Sequence, residues 1–287
     1  MNRKDVQLIL KKLNIVPTKA LGQNFLIDNN TRDIIINLAQ VSKNDIILEI
    51  GPGLGALTEK LAENAKKVYA IEIDSRLSAF LKNKFCNYNN LTIINGDILQ
   101  NDIPNHNKVV SNLPYTITGR ILEKVFFKEK PPQGILTIEK AIADRIFSKG
   151  NYKNLSRITI SVNTFMNPIE KHMLSRNSFY PTPNIDLTLI KLFPREKIDE
   201  FLIENNKRKF YLNILGGIMP FKNKNLSNAL ELFVKKKLHL DLNKKAILSI
   251  LDKNNIGDNK VYSYSVSDFV NISKIFYDKL ELKGICE

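Results

Sequence analysis

The stretch that decides the fold is Asp45-Ile46-Ile47-Leu48-Glu49-Ile50-Gly51-Pro52-Gly53-Leu54-Gly55. Its apolar first half predicts a central strand of a parallel sheet, and its glycines predict a tight turn into a helix over residues 56–65. Glycines at such a turn let the backbone approach a ligand closely. Because Gly51, Gly53 and Ala56 also fit the dinucleotide spacing G-x-G-x-x-A, this loop alone does not choose between nucleotide ligands.

Acidic side chains follow the next two predicted strands, 68–74 and 91–94. Glu72 lies where a carboxylate can hold both hydroxyls of a ribose, and Asp74 beside it can cap a following helix. Asp97 lies where an oxygen can accept a hydrogen bond from an adenine amino group. One ligand group at each of three strand ends favours S-adenosylmethionine (SAM) over NAD as the cofactor.

A five-residue motif, Ser111-Asn112-Leu113-Pro114-Tyr115, ends the fourth predicted strand. The Asn112 amide oxygen can accept a hydrogen bond from an amino group. Pro114 fixes the direction of the Leu113 carbonyl, and Tyr115 can stack on a planar base. The motif therefore predicts a binding site for an exocyclic amino group. The alternative is an ordinary turn with a surface tyrosine.

Two further segments place polar or aromatic groups in unusual surroundings. Residues 18–28 hold Gln23 and Asn24 beside the apolar Leu26, which indicates either a locally capped loop or a strap over a ligand. Residues 178–183 contain two prolines that stiffen a loop, with Phe179 as its aromatic tip. Phe179 is either packed in the core or a second ring for base stacking.

The remaining hydrophobic patterns complete an α/β fold with a helical end. Helices are predicted at 5–13, 31–39, 119–128 and 139–147, and strands at 108–111, 134–138, 169–174 and 185–192, whereas residues 155–165 fit both types equally well. After Pro194 the pattern is helical, at 201–217, 225–238, 243–251 and 266–282. We therefore predict two domains, 1–194 with a mainly parallel, Rossmann-like sheet and 195–287 with helices only.

The chain of 287 residues is strongly basic, with a formal net charge of +14. Residues 197–287 hold 16 Lys and Arg against 11 Asp and Glu, and residues 1–196 hold 27 against 18. This excess favours a polyanionic partner such as nucleic acid. Basic clusters in the helical region supply the candidates for phosphate contact, Arg208, Lys222 and Lys224, and solvated helix faces are the alternative.

Cysteine and histidine usage gives no sign of a disulfide framework or a metal centre. Cys86 and Cys286 have unrelated contexts, which is typical of a reducing, cytoplasmic compartment. His106, His172 and His239 are scattered and lack ligand spacing. The sequence shows no signal-peptide pattern and no apolar run long enough to cross a membrane.

Together these motifs resemble the KsgA-type ribosomal RNA adenine dimethyltransferase family over nearly the whole chain. The resemblance rests on segments in the family's order and spacing, namely 22–28, 49–55, 72–74, 96–97, 112–115 and 179–183. Phe221-Lys222-Asn223-Lys224 resembles the family's basic motif, closest to archaeal members. Leu113 and the long C-terminal region favour this type over the related Erm type, which methylates large-subunit (23S) RNA.

The resemblance implies a seven-stranded, SAM-dependent methyltransferase domain and a small helical domain, with the substrate in the cleft between them. We place the cofactor contacts at Gln23, Asn24, Leu26, Gly51, Gly53, Glu72, Asp97, Ile98 and Asn112. The catalytic candidates are Asn112, Leu113, Pro114, Tyr115 and Phe179. The implied substrate is a pair of adjacent adenosines near the 3′ end of small-subunit (16S) ribosomal RNA, free or in an immature subunit, each methylated twice on N6 by a monomeric enzyme.

Three positions depart from the family pattern. Glu139 stands where Gln is usual, Ala141 where Glu is usual and Leu187 where Ser is usual. These changes concern the shape of the RNA cleft rather than methyl transfer. An Erm-type enzyme, and a ribosome-assembly factor that acts mainly by binding, are the alternatives that the sequence leaves open.

Overall fold

The computed structural model describes residues 2–18, 22–148, 155–238, 240 and 242–281. Residues 19–21 of the predicted strap, residues 149–154, His239, Cys286 and residue 282 of the last predicted helix lie outside these ranges. The chain divides into two compact units. The first comprises Met1–Phe126, Lys130–Ala143 and Met166–Pro194, and the second comprises Phe127–Glu129, Asp144–Phe165 and Arg195–Glu287. The change of unit after Pro194 falls at the predicted boundary, but residues 127–129 and 144–165 group with the second unit.

Among the described residues of the first unit, nine strands form two sheets. In chain order they are β1 (Phe25–Leu26), β2 (Ile46–Ile50), β3 (Lys67–Glu72), β4 (Leu91–Asn95), β5 (Lys108–Asn112), β6 (Gln133–Glu139), β7 (Met166–Leu174), β8 (Phe179–Tyr180) and β9 (Leu187–Pro194). The large sheet has the order β4-β3-β2-β5-β6-β9-β7, with β9 antiparallel to both neighbours and the other pairs parallel. This mainly parallel, seven-stranded sheet confirms the predicted Rossmann-like class.

The second sheet, which the sequence did not predict, joins two distant segments. Strands β1 and β8 pair antiparallel, with Phe25 opposite Tyr180 and Leu26 opposite Phe179. The Ile27 backbone N–H extends the pairing by donating to the Ser178 carbonyl oxygen at 2.9 Å. The predicted strap is therefore fastened to the late aromatic-proline loop.

Three of the helices described in the first unit begin where a short polar side chain caps them. The helices are α1 (Arg3–Lys12), α2 (Asn29–Ala39), α3 (Thr58–Asn64), α4 (Ser75–Lys84), α5 (Thr118–Phe126) and α6 (Lys140–Ile146), the last of which runs into the second unit. Asp28 caps α2 by accepting from the Thr31 N–H at 2.7 Å, and Asp74 caps α4 by accepting from the Arg76 N–H at 2.9 Å. Such caps satisfy donors that a helix leaves unpaired at its first turn.

The core of the first unit lies on both faces of the large sheet. Side chains from strands and helices pack there without solvent exposure, among them Ile47, Leu61, Val110, Ile135 and Leu189. Full burial of each such side chain contributes roughly 1.5–3 kcal/mol. Because strands covered on both faces need apolar residues throughout, the continuous apolar runs of the sequence locate this sheet correctly.

Helices α7 (Arg157–Phe165), α8 (Asn205–Ile218), α9 (Leu226–Phe233), α10 (Lys244–Lys253) and α11 (Val266–Glu281) form the second unit. Residues 155–165, which the sequence left open, are thus helical from Arg157. The fully buried Tyr211 hydroxyl bonds to the Thr164 hydroxyl at 2.6 Å and ties α8 to α7. Within the described ranges, no helix has both the length and the apolar character needed to cross a membrane.

Strands β2 and β5 separate after a short paired stretch. They are paired at Ile47–Lys108 and Leu48–Val109, whereas β2 stays with β3 to Ile50 and β5 stays with β6 to Asn112. Where the two strands part, the Ser111 hydroxyl accepts from the Ile50 N–H at 2.7 Å. The Ser111 hydroxyl therefore replaces a missing hydrogen bond between the strands. The two residues that it joins, Ile50 and Ser111, directly precede Gly51 and Asn112.

We expect Ser111→Ala to lower the free energy of unfolding by about 1–3 kcal/mol, because it leaves the buried Ile50 N–H without its acceptor. Urea unfolding followed by circular dichroism measures the change. Ser78→Ala is the matched control: Ser78 is also buried in the first unit, but its hydroxyl has no hydrogen-bond partner among the described residues. Its removal should leave stability unchanged or raise it. Equal losses in the two variants would contradict the assigned role of Ser111.

Candidate active site

The glycine loop takes a backbone conformation that side chains disfavour. Gly51, Gly53 and Gly55 have φ angles of 67°, 60° and 79°, in the left-handed region that costs other residues about 1–2 kcal/mol each. The Gly51 N–H donates to the Ile71 carbonyl oxygen at 2.9 Å, and the Gly55 N–H closes the turn on the Pro52 carbonyl oxygen at 2.9 Å. The start of the loop is thus hydrogen-bonded to β3, and the loop then turns away from β5.

A concave cavity opens beside this loop in the first unit. Ligand sites are commonly clefts of this kind, lined by apolar groups with a few convergent polar ones. The described residues that line it come from the strap, the glycine loop and three strand ends, and include Gln23, Asn24, Leu26, Glu49, Gly51, Gly53, Glu72, Ile73, Asn112 and Pro114. Seven of the nine predicted cofactor residues therefore lie around one space.

Glu72 braces the glycine loop from the neighbouring strand. Its two carboxylate oxygens accept from the Gly53 N–H at 3.1 Å and from the Asp74 N–H at 3.0 Å. The side chain is only 4% exposed, and burial raises its pKa above the usual value, although the two backbone donors favour its ionised form. Glu72 is thus fixed at the cavity wall, where a carboxylate can accept from ligand hydroxyls.

Asp97 and Ile98 are the two predicted cofactor residues outside the lining of this cavity. They follow β4, whose last residue, Asn95, lies opposite Glu72 in register. One Asp97 carboxylate oxygen accepts from the Leu99 N–H at 2.8 Å, and Ile98 is buried. The structure therefore shows a turn-forming role for Asp97 at the adjacent strand end, and its contact with an adenine stays a prediction.

The strap lies against the motif that ends β5. Gly22, with a φ of 61°, packs closely against Pro114 and Tyr115, since a Cβ there would make a tight contact of 3.2 Å with their backbone atoms. The Gln23 side-chain oxygen accepts from the Thr18 N–H at 3.1 Å and closes the strap on itself. The structure thus shows local capping in this segment, and its role as a strap over a ligand stays a prediction.

The Asn112 amide has a defined orientation. Its Nδ2 group donates to the Asn24 carbonyl oxygen at 2.9 Å, which directs Oδ1 to the opposite side. The Tyr115 hydroxyl donates to Oδ1 at a long 3.4 Å. Because an amide oxygen has two lone pairs, Oδ1 can accept a further hydrogen bond from a ligand. The half-buried Tyr115 begins a short 3₁₀ turn directly after Pro114, whose φ is −60°.

Phe179 requires a correction. Its side chain is completely buried and packs in the core of the first unit with Leu26 and Leu187. A ring with no exposed face cannot stack on a base, so the structure shows the core-packing alternative. The periodicity of a two-residue strand gives too little pattern to distinguish these alternatives from sequence.

Glu49 is a site residue that the sequence analysis used only as part of a motif. It is 2% exposed on the central strand, yet it lines the cavity. Among the described residues its Oε2 atom has no hydrogen-bond partner. Burial, with a smaller contribution from the nearby Glu72 carboxylate, raises the pKa of Glu49 to about 8. An acid inside an otherwise apolar strand, directly before the glycines, was the signal available in the sequence.

The three positions that depart from the family pattern lie close together, where β6 ends and β9 begins. Glu139 ends β6 and pairs in register with Leu187 of β9, and Ala141 is exposed in the helix that follows. Leu187 is fully buried. The change at Leu187 therefore belongs to core packing rather than to a surface that RNA can reach.

The three predicted phosphate contacts in the second unit differ in their surroundings. The Arg208 guanidinium donates to the carbonyl oxygens of Leu202 and Ile203 at 2.9 and 2.8 Å. The Lys222 ammonium donates to the Leu155 carbonyl oxygen at 3.0 Å. Lys224 is exposed. Arg208 and Lys222 thus hold backbone segments of their own unit, and Lys224 presents the most accessible charge of the three.

Comparisons with known proteins agree on one family. A family model described as "Ribosomal RNA adenine dimethylase" matches residues 16–276. "Ribosomal RNA small subunit methyltransferase A" of Borrelia garinii subsp. bavariensis is 35% identical over 83% of this chain and 84% of its own length. The protein of the same name from Clostridium botulinum strain Kyoto is 32% identical over 98% of this chain and all of its own length.

Solved structures extend the likeness to the fold. A dimethyladenosine transferase from Plasmodium falciparum is 27% identical, with a TM-score of 0.71 over 91% of this chain and 98% of that one. The 23S rRNA methyltransferase ErmE has a TM-score of 0.59 at 23% identity and shows a shared fold alone. The expected likeness of residues 221–224 to archaeal members stays a prediction. Because the family model and the relatives match most of its length, this chain belongs to the ribosomal RNA adenine dimethylase family, as its motifs predicted.

Proposed function

We propose that the protein uses SAM to dimethylate N6 of two adjacent adenosines near the 3′ end of 16S ribosomal RNA, with a role in small-subunit biogenesis. The observation that carries this proposal is the oriented Asn112 amide, held by the Asn24 carbonyl oxygen at 2.9 Å beside the cavity at the strand ends. The names of the relatives, a small-subunit RNA methyltransferase and a dimethyladenosine transferase, support the substrate class.

The residues around the cavity fit SAM. Three kinds of group line the cavity. They are the Glu72 carboxylate, which two backbone N–H groups hold in place, the glycines at 51 and 53, whose left-handed backbone can approach a ligand, and the Glu49 Oε2 atom, which has no partner among the described residues. Two carboxylates without a lysine, arginine or histidine among the described lining residues suit a positively charged ligand. When bound, SAM supplies a methyl group on a cationic sulfur.

Asn112 and the Leu113 carbonyl would prepare the acceptor amine. The N6 lone pair of adenine is delocalised into the ring, so the amine is a weak nucleophile. Hydrogen bonds from its two N–H groups to Asn112 Oδ1 and to the Leu113 carbonyl oxygen would draw the nitrogen toward a tetrahedral geometry and aim its lone pair. Positioning of this kind can supply several kcal/mol of the barrier. The amine loses its proton after the new C–N bond forms, and an amide is no base, so water is the natural acceptor.

Tyr115 would hold the face of the target base. A base must leave its stack to reach the site, which costs a few kcal/mol, and stacking on one aromatic ring returns about 1–3 kcal/mol. Pro114 fixes the backbone between Tyr115 and the carbonyl of Leu113. The second methylation requires that monomethyladenine, with a single N–H, still be accepted.

The deciding experiment is transfer of labelled methyl groups from SAM to undermethylated small subunits, to large-subunit RNA and to duplex DNA. Dimethyladenine formed only in the small-subunit sample is the expected result. Label in large-subunit RNA would indicate the Erm-type activity instead. SAM binding without transfer to any acceptor would favour an assembly factor that acts by binding. Cytoplasmic location, a monomeric state and action without a metal stay predictions.

Asn112→Ala should lower the rate of methyl transfer on the order of 100-fold or more, because the lost group acts mainly on the reacting amine. SAM affinity should fall far less. Single-turnover transfer and equilibrium dialysis measure the two quantities. Asn83→Ala, which alters an exposed asparagine of α4, should change neither. Parallel losses of rate and SAM affinity in Asn112→Ala would remove the proposed role.

Tyr115→Ala should lower kcat/KM for RNA by about 10- to 100-fold, the equivalent of one stacked base. Tyr115→Phe keeps the ring and loses only the long hydrogen bond to Asn112, so it should retain most of the activity. The measurement is steady-state transfer to small subunits. Near-normal turnover by Tyr115→Ala would rule out stacking as the function of this ring.

Lys224→Ala should weaken RNA binding and reduce the slope of log Kd against log salt concentration by about 0.7–0.9, the effect of one lost phosphate contact. Filter binding between low and moderate salt measures the slope. Lys274→Ala is the control in the same unit, because Lys274 is paired with Asp199 at 2.8 Å. An unchanged slope for Lys224→Ala would exclude that lysine from the RNA contact.

A further inference from the structure

We propose that Glu49 is the residue by which the site distinguishes the cationic methyl donor from its uncharged product. The inference rests on the proposed use of SAM and adds a selection step to it. SAM carries a sulfonium charge, and S-adenosylhomocysteine (SAH), which remains after methyl transfer, has a neutral thioether in its place. The two ligands otherwise share the same adenosine and amino acid groups.

The placement of Glu49 is unusual for a carboxylate. It lies on the central strand, 2% exposed, with Oε2 lacking a partner among the described residues. A buried charge without a partner is strongly disfavoured. The residue nevertheless belongs to the wall of the cavity beside the glycine loop. A buried acid without a protein partner at the wall of a cavity is the arrangement expected for a carboxylate whose partner is a ligand.

The surroundings do not neutralise Glu49 by themselves. Glu72 on β3 lines the same cavity, and its oxygens are already occupied by the N–H groups of Gly53 and Asp74. On α3, the buried Thr58 hydroxyl lies near enough to favour the ionised form of Glu49, but among the described residues it makes no hydrogen bond. On α4, Lys84 attracts Glu49 electrostatically, but its ammonium donates to the Leu54 carbonyl oxygen at 3.0 Å. Two carboxylates thus face one space with no ion pair to Glu49 among the described residues.

The charge of this cavity contrasts with that of the chain. The net charge of the protein is +14, yet the described lining residues contain two glutamates and no basic side chain. Coulomb interactions are strong where water is largely excluded. A sulfonium in the cavity would therefore stabilise the ionised form of Glu49, and its replacement by a neutral sulfur would withdraw that stabilisation and favour release of the product.

The preference of the site for SAM over SAH should depend on pH, because the charge of Glu49 depends on pH. With the ligand-free pKa near 8, this carboxyl is mostly protonated at neutral pH. Binding of a cation lowers that pKa, so SAM binding releases a proton and strengthens as pH rises toward 8. A pKa shift of one unit corresponds to about tenfold in affinity. SAH gives Glu49 no sulfonium partner, so its affinity should change less over the same range.

The test measures Kd for SAM and for SAH by calorimetry between pH 6.5 and 8.5. The ratio Kd(SAH)/Kd(SAM) should rise several-fold to about tenfold with pH in the unaltered protein and stay nearly flat in Glu49→Gln. Glu59→Gln is the matched control: Glu59 is an exposed acid of the neighbouring helix α3 outside the cavity lining. Glu59→Gln should show the same ratio Kd(SAH)/Kd(SAM), and the same change of that ratio with pH, as the unaltered protein.

Three results would overturn the inference. The first is a Glu49→Gln variant with the unaltered ratio and slope. The second is equal weakening of SAM and SAH, which would assign Glu49 to the ammonium group that both ligands share. The third needs no variant: titrations of the unaltered protein at pH 7 in phosphate and in Tris count released protons, and equal counts for SAM and SAH would contradict it. Binding of neither ligand would instead remove the proposed cofactor, and this inference with it.

Discussion

The separation of β2 from β5 is the constraint on which the site depends. Each strand keeps its outer neighbour, β3 or β6, to its end, so the gap opens between these two strands alone. In a doubly wound sheet the chain leaves two such strands toward opposite faces, and ligands bind in the crevice that results. The Ser111 hydroxyl satisfies the Ile50 backbone N–H directly before the gap. The residues that follow Ile50 and Ser111 can therefore line a cavity.

Charge decides which nucleotide this crevice suits. The loop has the glycine spacing of a dinucleotide site, in which a pyrophosphate lies near the helix that follows. Here Glu49 and Glu72 line the cavity. A bound cation would stabilise the ionised form of each carboxyl, whereas a phosphate would be repelled by either one once it is ionised. The cavity therefore fits the proposed SAM better than a dinucleotide. The excess of positive charge would remain available to the phosphates of the proposed RNA substrate.

The orientation of one amide depends on a contact across 88 residues of sequence. Asn112 can present its oxygen to a substrate because its nitrogen is engaged by the strap, and the strap is fastened through β1 to β8. A loop alone would leave the amide free to rotate, with loss of the positioning that the proposed mechanism requires. Buried Phe179 therefore contributes to the site as part of the core beneath this strap, and not as a surface for a base.

The sequence by itself determined the sheet, the helix cap at Asp74, the family and most of the cavity wall. These features are local: an apolar run, a glycine turn and a polar residue at a strand end each carry their own pattern. Only the tertiary structure decided that Phe179 is buried, that residues 157–165 are helical and join the second unit, and that Arg208 holds backbone carbonyls. It also showed Glu49 as an acid without a partner. Each of these facts depends on which distant segments surround a side chain, and burial or pairing across the chain leaves no trace in local periodicity.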